Sequence, residues 1–497
     1  MTDYLGYDES QIYLIASSPL WADFQREFRP RTHPPLSYLA MKPFIALSHE
    51  AWAVKALSLL AGVAAIPVIQ LALRRRLSPG MALLGALVIS TAPGFVWQSI
   101  EARQYSLGLL LVWLSLLAYL RLDPDASPRL KDHARLALVL LLVLLTEYLA
   151  TPHVVALAGL AWAPAARRLI REHRWRRVAA ITGLYAGTLG LTAAIFIWQF
   201  QGHIPSQHGH TTPFMYGGSL LDLRAMLGFL ATRGLAFADS VLPSPAGVLL
   251  LVLLLAPWAG LLRGDPCQVL VRRLSLCAAL AIGLSCVAAL LGQLPLGGRP
   301  RHTVLIVPLV LLTDTFILAG LVGRLSRPAW RVTVSAIAVC GFLLASAAGL
   351  RAGGSGGRYA DLAAVAGLAE FSRRPAAIVA DWRGRSLATW WLLRGREPRL
   401  VSESVEGCLN FDYQGTQVAE CGDDEMATRA RDLVRAEGRA WIVLTDQSDP
   451  ARLADAMRRV VTALARSPDI EVRDRPVVRW LLYITVAELQ RIPVAVP

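Results

Sequence analysis

Charge is scarce in this sequence. Only 17% of its 497 residues are Asp, Glu, Lys or Arg, against about 25% in a soluble domain. With 55% hydrophobic residues and a mean hydropathy of +0.45, that scarcity excludes a single water-soluble globule. Cysteine is sparse too, at six residues, and no zinc-type pairing joins them. Four of them, Cys267, Cys277, Cys286 and Cys340, lie in or beside apolar runs and read as packing residues. No internal repeat divides the chain, which argues against transporters built from two repeated halves with midplane sites.

What is abundant is long apolar sequence. Ten runs approach the ~20 residues that cross a bilayer: 52–73, 80–97, 104–120, 136–149, 153–165, 178–200, 246–262, 274–292, 302–322 and 332–350. The two short ones, 136–149 and 153–165, flank Thr151-Pro152-His153 and read as one interrupted hairpin. The chain is therefore expected to be a polytopic α-helical membrane protein of about ten spans.

The formal net charge of +14 is unevenly spread. Residues 1–350 hold 29 Lys and Arg against 16 Asp and Glu, whereas residues 351–497 hold 21 against 20. The excess sits in the turns Arg74–Arg76, Arg121–Arg135, Arg167–Arg177, Arg263–Arg273 and Arg324–Arg331. All five fall on one face if the runs alternate. That is the positive-inside pattern, so this face is expected to be cytoplasmic, and nucleic-acid binding is excluded as the source of the basic excess. The opposite face then receives residues 1–50, the turn 98–103, the loop 201–245, the turn 293–301 and everything after 350. The chain thus starts on the external side with no span or signal sequence ahead of it, and an upstream helix preceding the present numbering is expected.

From Arg351 onward the composition changes. Gly353-Gly354-Ser355-Gly356-Gly357 reads as a flexible hinge. Helix-like stretches follow at 360–372, 385–394, 427–437 and 451–466, and strand-like ones at 376–380, 441–445 and 477–486. The expectation is an external α/β domain over 351–497, after a first loop over 1–50 and a helical domain over 51–350. Cys408 and Cys421 fall in that domain, where an oxidising compartment lets them close a loop worth about 3 kcal/mol.

Ionisable residues are almost absent from the apolar runs. A charge at the bilayer centre costs roughly 2.5–3.5 kcal/mol on insertion scales, so Glu147, His153 and Asp314 stand out, with Glu147 and His153 close enough in sequence to pair. Three further sets converge on the external face: Asp8-Glu9, the turn Ser99–Tyr105 with Glu101 and Arg103, and Arg299, Arg301 and His302 at the entrance to 302–322. Each has an ordinary reading as helix-end charge or interfacial anchor. Arginine's planar fork also suits phosphate oxygens. His203, His208 and His210 in the loop 201–245 suggest a metal by their closeness, but without fixed geometry they read first as exposed polar residues; Trp390-Trp391 suits stacking on a sugar and reads first as core.

The order of these pieces resembles the bacterial glycosyltransferase family 39 group, related to protein O-mannosyltransferases, within the GT-C superfamily of membrane glycosyltransferases. An Asp-Glu pair is matched by Asp8-Glu9, a His-Pro-Pro-Leu-Tyr-Tyr-type segment by His33–Tyr38, and a Ser-Gln-Glu-Ala-Arg-x-Tyr turn by Ser99–Tyr105. Arg301-His302 followed by Pro308 is similar to a later span entrance. The resemblance covers about residues 5–325. It departs from the pattern at the missing first span and at Ile100.

This resemblance implies transfer of a sugar from a polyprenyl-phosphate donor to an acceptor hydroxyl at the external surface of the plasma membrane. The acceptor, whether protein, lipid or polysaccharide, is left open. Asp8 is implied as general base, Arg103 and then Arg301 as the cations on the departing phosphate. Glu9 and Glu101 orient these groups or, with Asp8, hold a divalent cation; His33, Tyr105 and His302 support the site. A transporter of lipid-linked sugars and a non-catalytic anchor for the external domain are the competing classes.

Overall fold

Proline marks where several helices begin. It occupies the first or second position of Pro79–Ser90, Pro93–Ile100, Thr151–Arg171 and Val307–Gly323, where its missing N–H has no helical partner to lose. These elements come from a computed structural model. It describes residues 7–18, 21, 24–25, 33–48, 50–122, 128–200, 215–265, 267–297, 303–354, 377–380, 399–405, 408–413, 416–421, 425–446, 450–464, 466–467, 469–474, 478–479 and 483–491.

The chain divides into two compact units. One comprises Met1–Phe28, Met41–Val54 and Gly353–Pro497, the other Arg29–Ala40 and Lys55–Ala352. Residues 1–50 are thus shared between the units.

The second unit is a helical bundle. Among the described residues, five helices are long and apolar enough to cross a membrane: Trp52–Leu73, Tyr148–Arg171, Trp175–Gln199, Gln268–Leu290 and Pro328–Arg351. Two bent pairs have the same character, Pro79–Ser90 with Pro93–Ile100 at 69° and Leu223–Val241 with Ala246–Leu253 at 98°. The shorter helices Tyr105–Leu120 and Val307–Gly323 hold the centre, with Trp113, Leu116, Leu312 and Phe316 fully buried. By contrast Pro328–Gly354 leaves Val332, Ile337 and Leu344 about two-thirds or more exposed. Apolar side chains facing outward over a whole helix suit lipid, not water. This is a multi-pass membrane protein.

Two sequence expectations need correction. The loop 201–245 contains the helix Leu223–Val241, hidden in the sequence by Arg224, Arg233 and Asp239. The run 246–262 is a helix only over Ala246–Leu253, followed by turns; Pro257 has no N–H for the Leu253 carbonyl. The runs 136–149 and 153–165 do form an interrupted hairpin, of the longer helices Leu130–Thr146 and Thr151–Arg171 joined by the 3₁₀ turn Tyr148–Ala150.

In the first unit, the C-terminal region forms a mixed sheet: β1 (Ala377–Ala380), β2 (Arg399–Val405), β3 (Cys408–Tyr413), β4 (Thr416–Glu420), β5 (Arg439–Asp446), β6 (Ile470–Asp474), β7 (Val478–Arg479) and β8 (Tyr483–Arg491). Strand order is β2-β3-β4-β1-β5-β8-β6, with β7 also on β8. β1 runs parallel to β4 and β5, with Val379 opposite Ala419 and Ile442; the other pairs are antiparallel. Helices Met426–Glu437 and Pro450–Leu464 pack on it through Met426, Ala430, Leu433 and Val434, and through Leu453, Met457, Val460 and Leu464. Those spacings of three and four put each set on one helical face. Cys408 and Cys421 are disulfide-bonded, Cα atoms 4.4 Å apart, at the open end of the β3–β4 hairpin. The stretches 360–372 and 385–394, and Trp390-Trp391, lie outside the described residues.

Candidate functional site

Glu147 closes the helix Leu130–Thr146 and leaves it in an extended conformation, φ −158° and ψ 117°. Its Oε1 accepts from the Leu149 N–H at 3.2 Å and so caps the short turn that follows. Its Oε2 faces His33 Nδ1 at 3.0 Å and accepts from Gln104 Nε2 at 2.8 Å. The residue is 1% exposed. An isolated carboxylate buried this way would be strongly disfavoured; the N–H groups of Gln104 and Leu149, with the His33 ring beside them, offset that cost.

The same contacts fix the segment His33–Pro35 against the bundle. Gln199 Nε2 donates to the His33 carbonyl at 3.1 Å, and the Tyr148 hydroxyl donates to Gln199 Oε1 at 2.9 Å. The pair expected from sequence, Glu147 with His153, does not form. The 3₁₀ turn separates them, and His153 Nε2 lies 3.1 Å from Ser115 Oγ instead. Asp314 is buried in Val307–Gly323, its two carboxyl oxygens without a hydrogen-bond partner among the described residues.

The turn between Pro93–Ile100 and Tyr105–Leu120 carries the next part of the site. Ser58 Oγ donates to the Arg103 carbonyl at 2.9 Å and faces the Arg103 N–H at 3.3 Å, while Ser106 Oγ donates to the Ser58 carbonyl at 2.6 Å. These bonds hold the turn against the helix Ala51–Leu73. Gly62 permits the approach, because a Cβ there would fall 2.3 Å from Ser99 Oγ.

Tyr105 is the floor of the cluster, 2% exposed. The His33 ring meets it edge-on, 6.2 Å between centroids, and the Arg103 guanidinium lies 5.1 Å from its centroid, within cation–π range. Arg103 itself is 8% exposed. A guanidinium in such a dry, aromatic setting is suited to a phosphate-type anion, because few waters compete for its N–H groups.

The structure therefore brings His33, Arg103 and Tyr105 together with Gln104 and Glu147, and places Glu101 in the same turn. Gln104 was missed because an amide inside a matched motif carries no chemical signal of its own. Lys55 was missed as well. It is buried one turn before Ser58, and a lysine inside the run 52–73 was a readable sign. Asp8 and Glu9 lie on the helix Tyr7–Ser17 of the other unit, with Glu9 half-buried. The Asp8 side chain, Arg299, Arg301 and His302, and the histidines of 201–214, lie outside the described residues.

A divalent cation finds no completed ligand set in what is described. Among the described residues no three His, Cys, Asp or Glu side chains gather around one point, and both Glu147 oxygens are already engaged by N–H groups.

Comparison with protein-family models and with curated proteins gives no match. Solved structures do match: ArnT from Cupriavidus metallidurans bound to undecaprenyl phosphate, at TM-score 0.54 and 14% identity, over 97% of this chain and 94% of that one. The apo state of the same protein matches at TM-score 0.53 and 15% identity, over 98% and 94%. At such identity the likeness speaks to the fold alone, and over nearly its whole length this chain has the fold of those structures.

Proposed function

We propose that this protein is a membrane glycosyltransferase that moves a sugar from a polyprenyl-phosphate donor to an acceptor hydroxyl at the external face. The observation that carries the reading is the Arg103 guanidinium, nearly buried over Tyr105 beside the His33–Glu147–Gln104 cluster, in a chain whose fold matches a protein solved with undecaprenyl phosphate. The narrower affinity with family 39 rests on the three matched sequence segments alone.

In the reaction, the acceptor oxygen forms a bond to the anomeric carbon as the bond from that carbon to the lipid phosphate breaks. Attack opposite the leaving group inverts the sugar. Asp8 takes the acceptor proton, and the released lipid phosphate needs positive charge more than a proton donor. Arg103 supplies it, with Arg301 as the second cation. Glu9 and Glu101 orient these groups; Glu147 holds His33 and Gln104 so that Arg103 and Tyr105 keep their places.

The basic turns are assigned to the cytoplasm and the turn 99–105 to the opposite surface. The helix Thr151–Arg171 supports this: Glu147 precedes its start and three arginines crowd its end. Its 21 residues rise about 30 Å, the depth of the hydrocarbon core.

The test is transfer by the reconstituted protein from a polyprenyl-phosphate sugar. Asp8→Asn is expected to lower turnover by ~10²–10⁴-fold while donor binding persists. Arg103→Gln is expected to cost ~10²–10³-fold and to weaken donor binding. Full activity in either variant removes that residue from the mechanism. Movement of intact lipid-linked sugar across the bilayer without bond cleavage would replace the reading by a transporter.

A further inference from the structure

A cavity of 840 Å³ opens between the end of helix Thr151–Arg171 and the beginning of Gln268–Leu290. Its wall runs from Gly159 to Glu172, beginning about 12 Å along Thr151–Arg171 from the end that meets Glu147, and shares no residue with the candidate active site. Arg167, Arg168, Arg171 and Arg273 line it, facing a single acid, Glu172. That acid is already covered, by Arg168 at 3.0 Å and Arg174 at 3.4 Å. Among the described residues, Arg167, Arg171 and Arg273 meet no carboxylate within ion-pair distance. A site with this charge imbalance takes an anion, and guanidinium groups select phosphate geometry.

The rest of the wall says which kind. Leu160, Ala163 and Pro164 from one helix and Leu276 from the other are apolar, and Leu276 is 41% exposed on the outer surface of the bundle. Trp175 stands exposed just after the turn, as aromatic residues do at headgroup level. A soluble phosphate would use the arginines and leave the apolar wall bare. A lipid uses both.

We propose that this cavity binds the phosphate headgroup of an anionic glycerophospholipid of the cytoplasmic leaflet, with its acyl chains along Leu160 and Leu276. Basic pockets between helices at that surface are suited to such headgroups. The cavity is large enough, since ligand sites commonly enclose about 300–1,000 Å³.

The experiment is native mass spectrometry of the full chain released from nanodiscs of phosphatidylglycerol or of phosphatidylcholine. Wild type is expected to retain phosphatidylglycerol at least ~10-fold better than phosphatidylcholine, and the triple variant Arg167→Gln, Arg171→Gln, Arg273→Gln to lose that preference. Arg74→Gln, Arg75→Gln, Arg327→Gln removes the same charge from exposed sites on the same basic face and is expected to keep it. Gly159→Leu fills space without changing charge: a Cβ there meets nothing within 4 Å, and leucine favours helix. It is expected to lower retention several-fold and guards against misreading a misfolded triple variant. Equal retention of the two lipids by wild type, or unchanged retention in both the triple variant and Gly159→Leu, overturns the proposal. Displacement of phosphatidylglycerol by millimolar inorganic phosphate also overturns it and marks a free-anion site.

Discussion

At the scale of single residues, the site depends on a carboxylate that water does not reach. Glu147 is held by Gln104, by His33 and by the Leu149 N–H, so the donors matter as much as the acid. Glu147→Ala leaves the Gln104 amide and the His33 ring facing a void. The loss is expected to be about 1–3 kcal/mol, the cost of stranding buried polar groups. Glu147→Gln keeps an acceptor oxygen in the same volume and is expected to cost less. Thermal unfolding in detergent ranks the two; an Ala variant as stable as the Gln variant would falsify the tie-down. Glu147 was legible in the sequence as a rare ionisable group in an apolar stretch, and its partner was not. Neighbours along the chain suggested His153, whereas His33 arrives from a distant segment through the Gln199 and Tyr148 contacts. No local pattern encodes an encounter of that range.

At the scale of elements, the bend between Leu223–Val241 and Ala246–Leu253 shows what periodicity cannot read. A Cβ on Gly247 would fall 2.0 Å from the Ala238 carbonyl oxygen and 2.3 Å from that of Leu242. Backbone oxygens cannot swing aside as side chains do. Gly247→Ala is therefore expected to open the 98° corner and to destabilise the bundle by about 1–3 kcal/mol, read as a lower Tm and faster proteolysis near Pro243. Gly247→Ala with wild-type Tm and protection sinks this account. Uninterrupted apolar runs such as 52–73 and 178–200 were readable, because a span must satisfy its own backbone and so must be long. Leu223–Val241 was not, since its charges dilute the signal. In the C-terminal region, helix faces at spacings of three and four were plain, while β2, β3 and β4 carry mixed polar sequences that become strands only by pairing.

At the scale of the whole bundle, the basic turns are joined as well as clustered. Arg76, after the helix Ala51–Leu73, pairs with Asp265 beyond Ala246–Leu253, and Arg324, after Val307–Gly323, donates to the carbonyls of Leu261 and Arg263. Burial by itself raises the Asp265 carboxyl, but the Arg76 hydrogen bond and the Cys267 N–H outweigh it and hold it below its ordinary value. A depressed carboxyl stabilises the fold at pH above its unfolded value, near ~4, and that contribution fades as the pH falls through the folded value. Arg76→Gln is thus expected to lower Tm at neutral pH, with the difference from wild type shrinking below about pH 4. A gap that stays constant over that range would separate the pair from the acid response. Composition alone made the membrane class and the basic surface legible, because bilayer and charge act on every residue at once. The links that tie one turn to another depend on single contacts and stayed hidden.

Thr151–Arg171 has one more consequence. Its first turn abuts the buried acid and its second half lines the arginine cavity, so on the two proposals above one helix sets the spacing between the transfer site and the lipid site. A thinner bilayer must tilt that helix or submerge one of its ends.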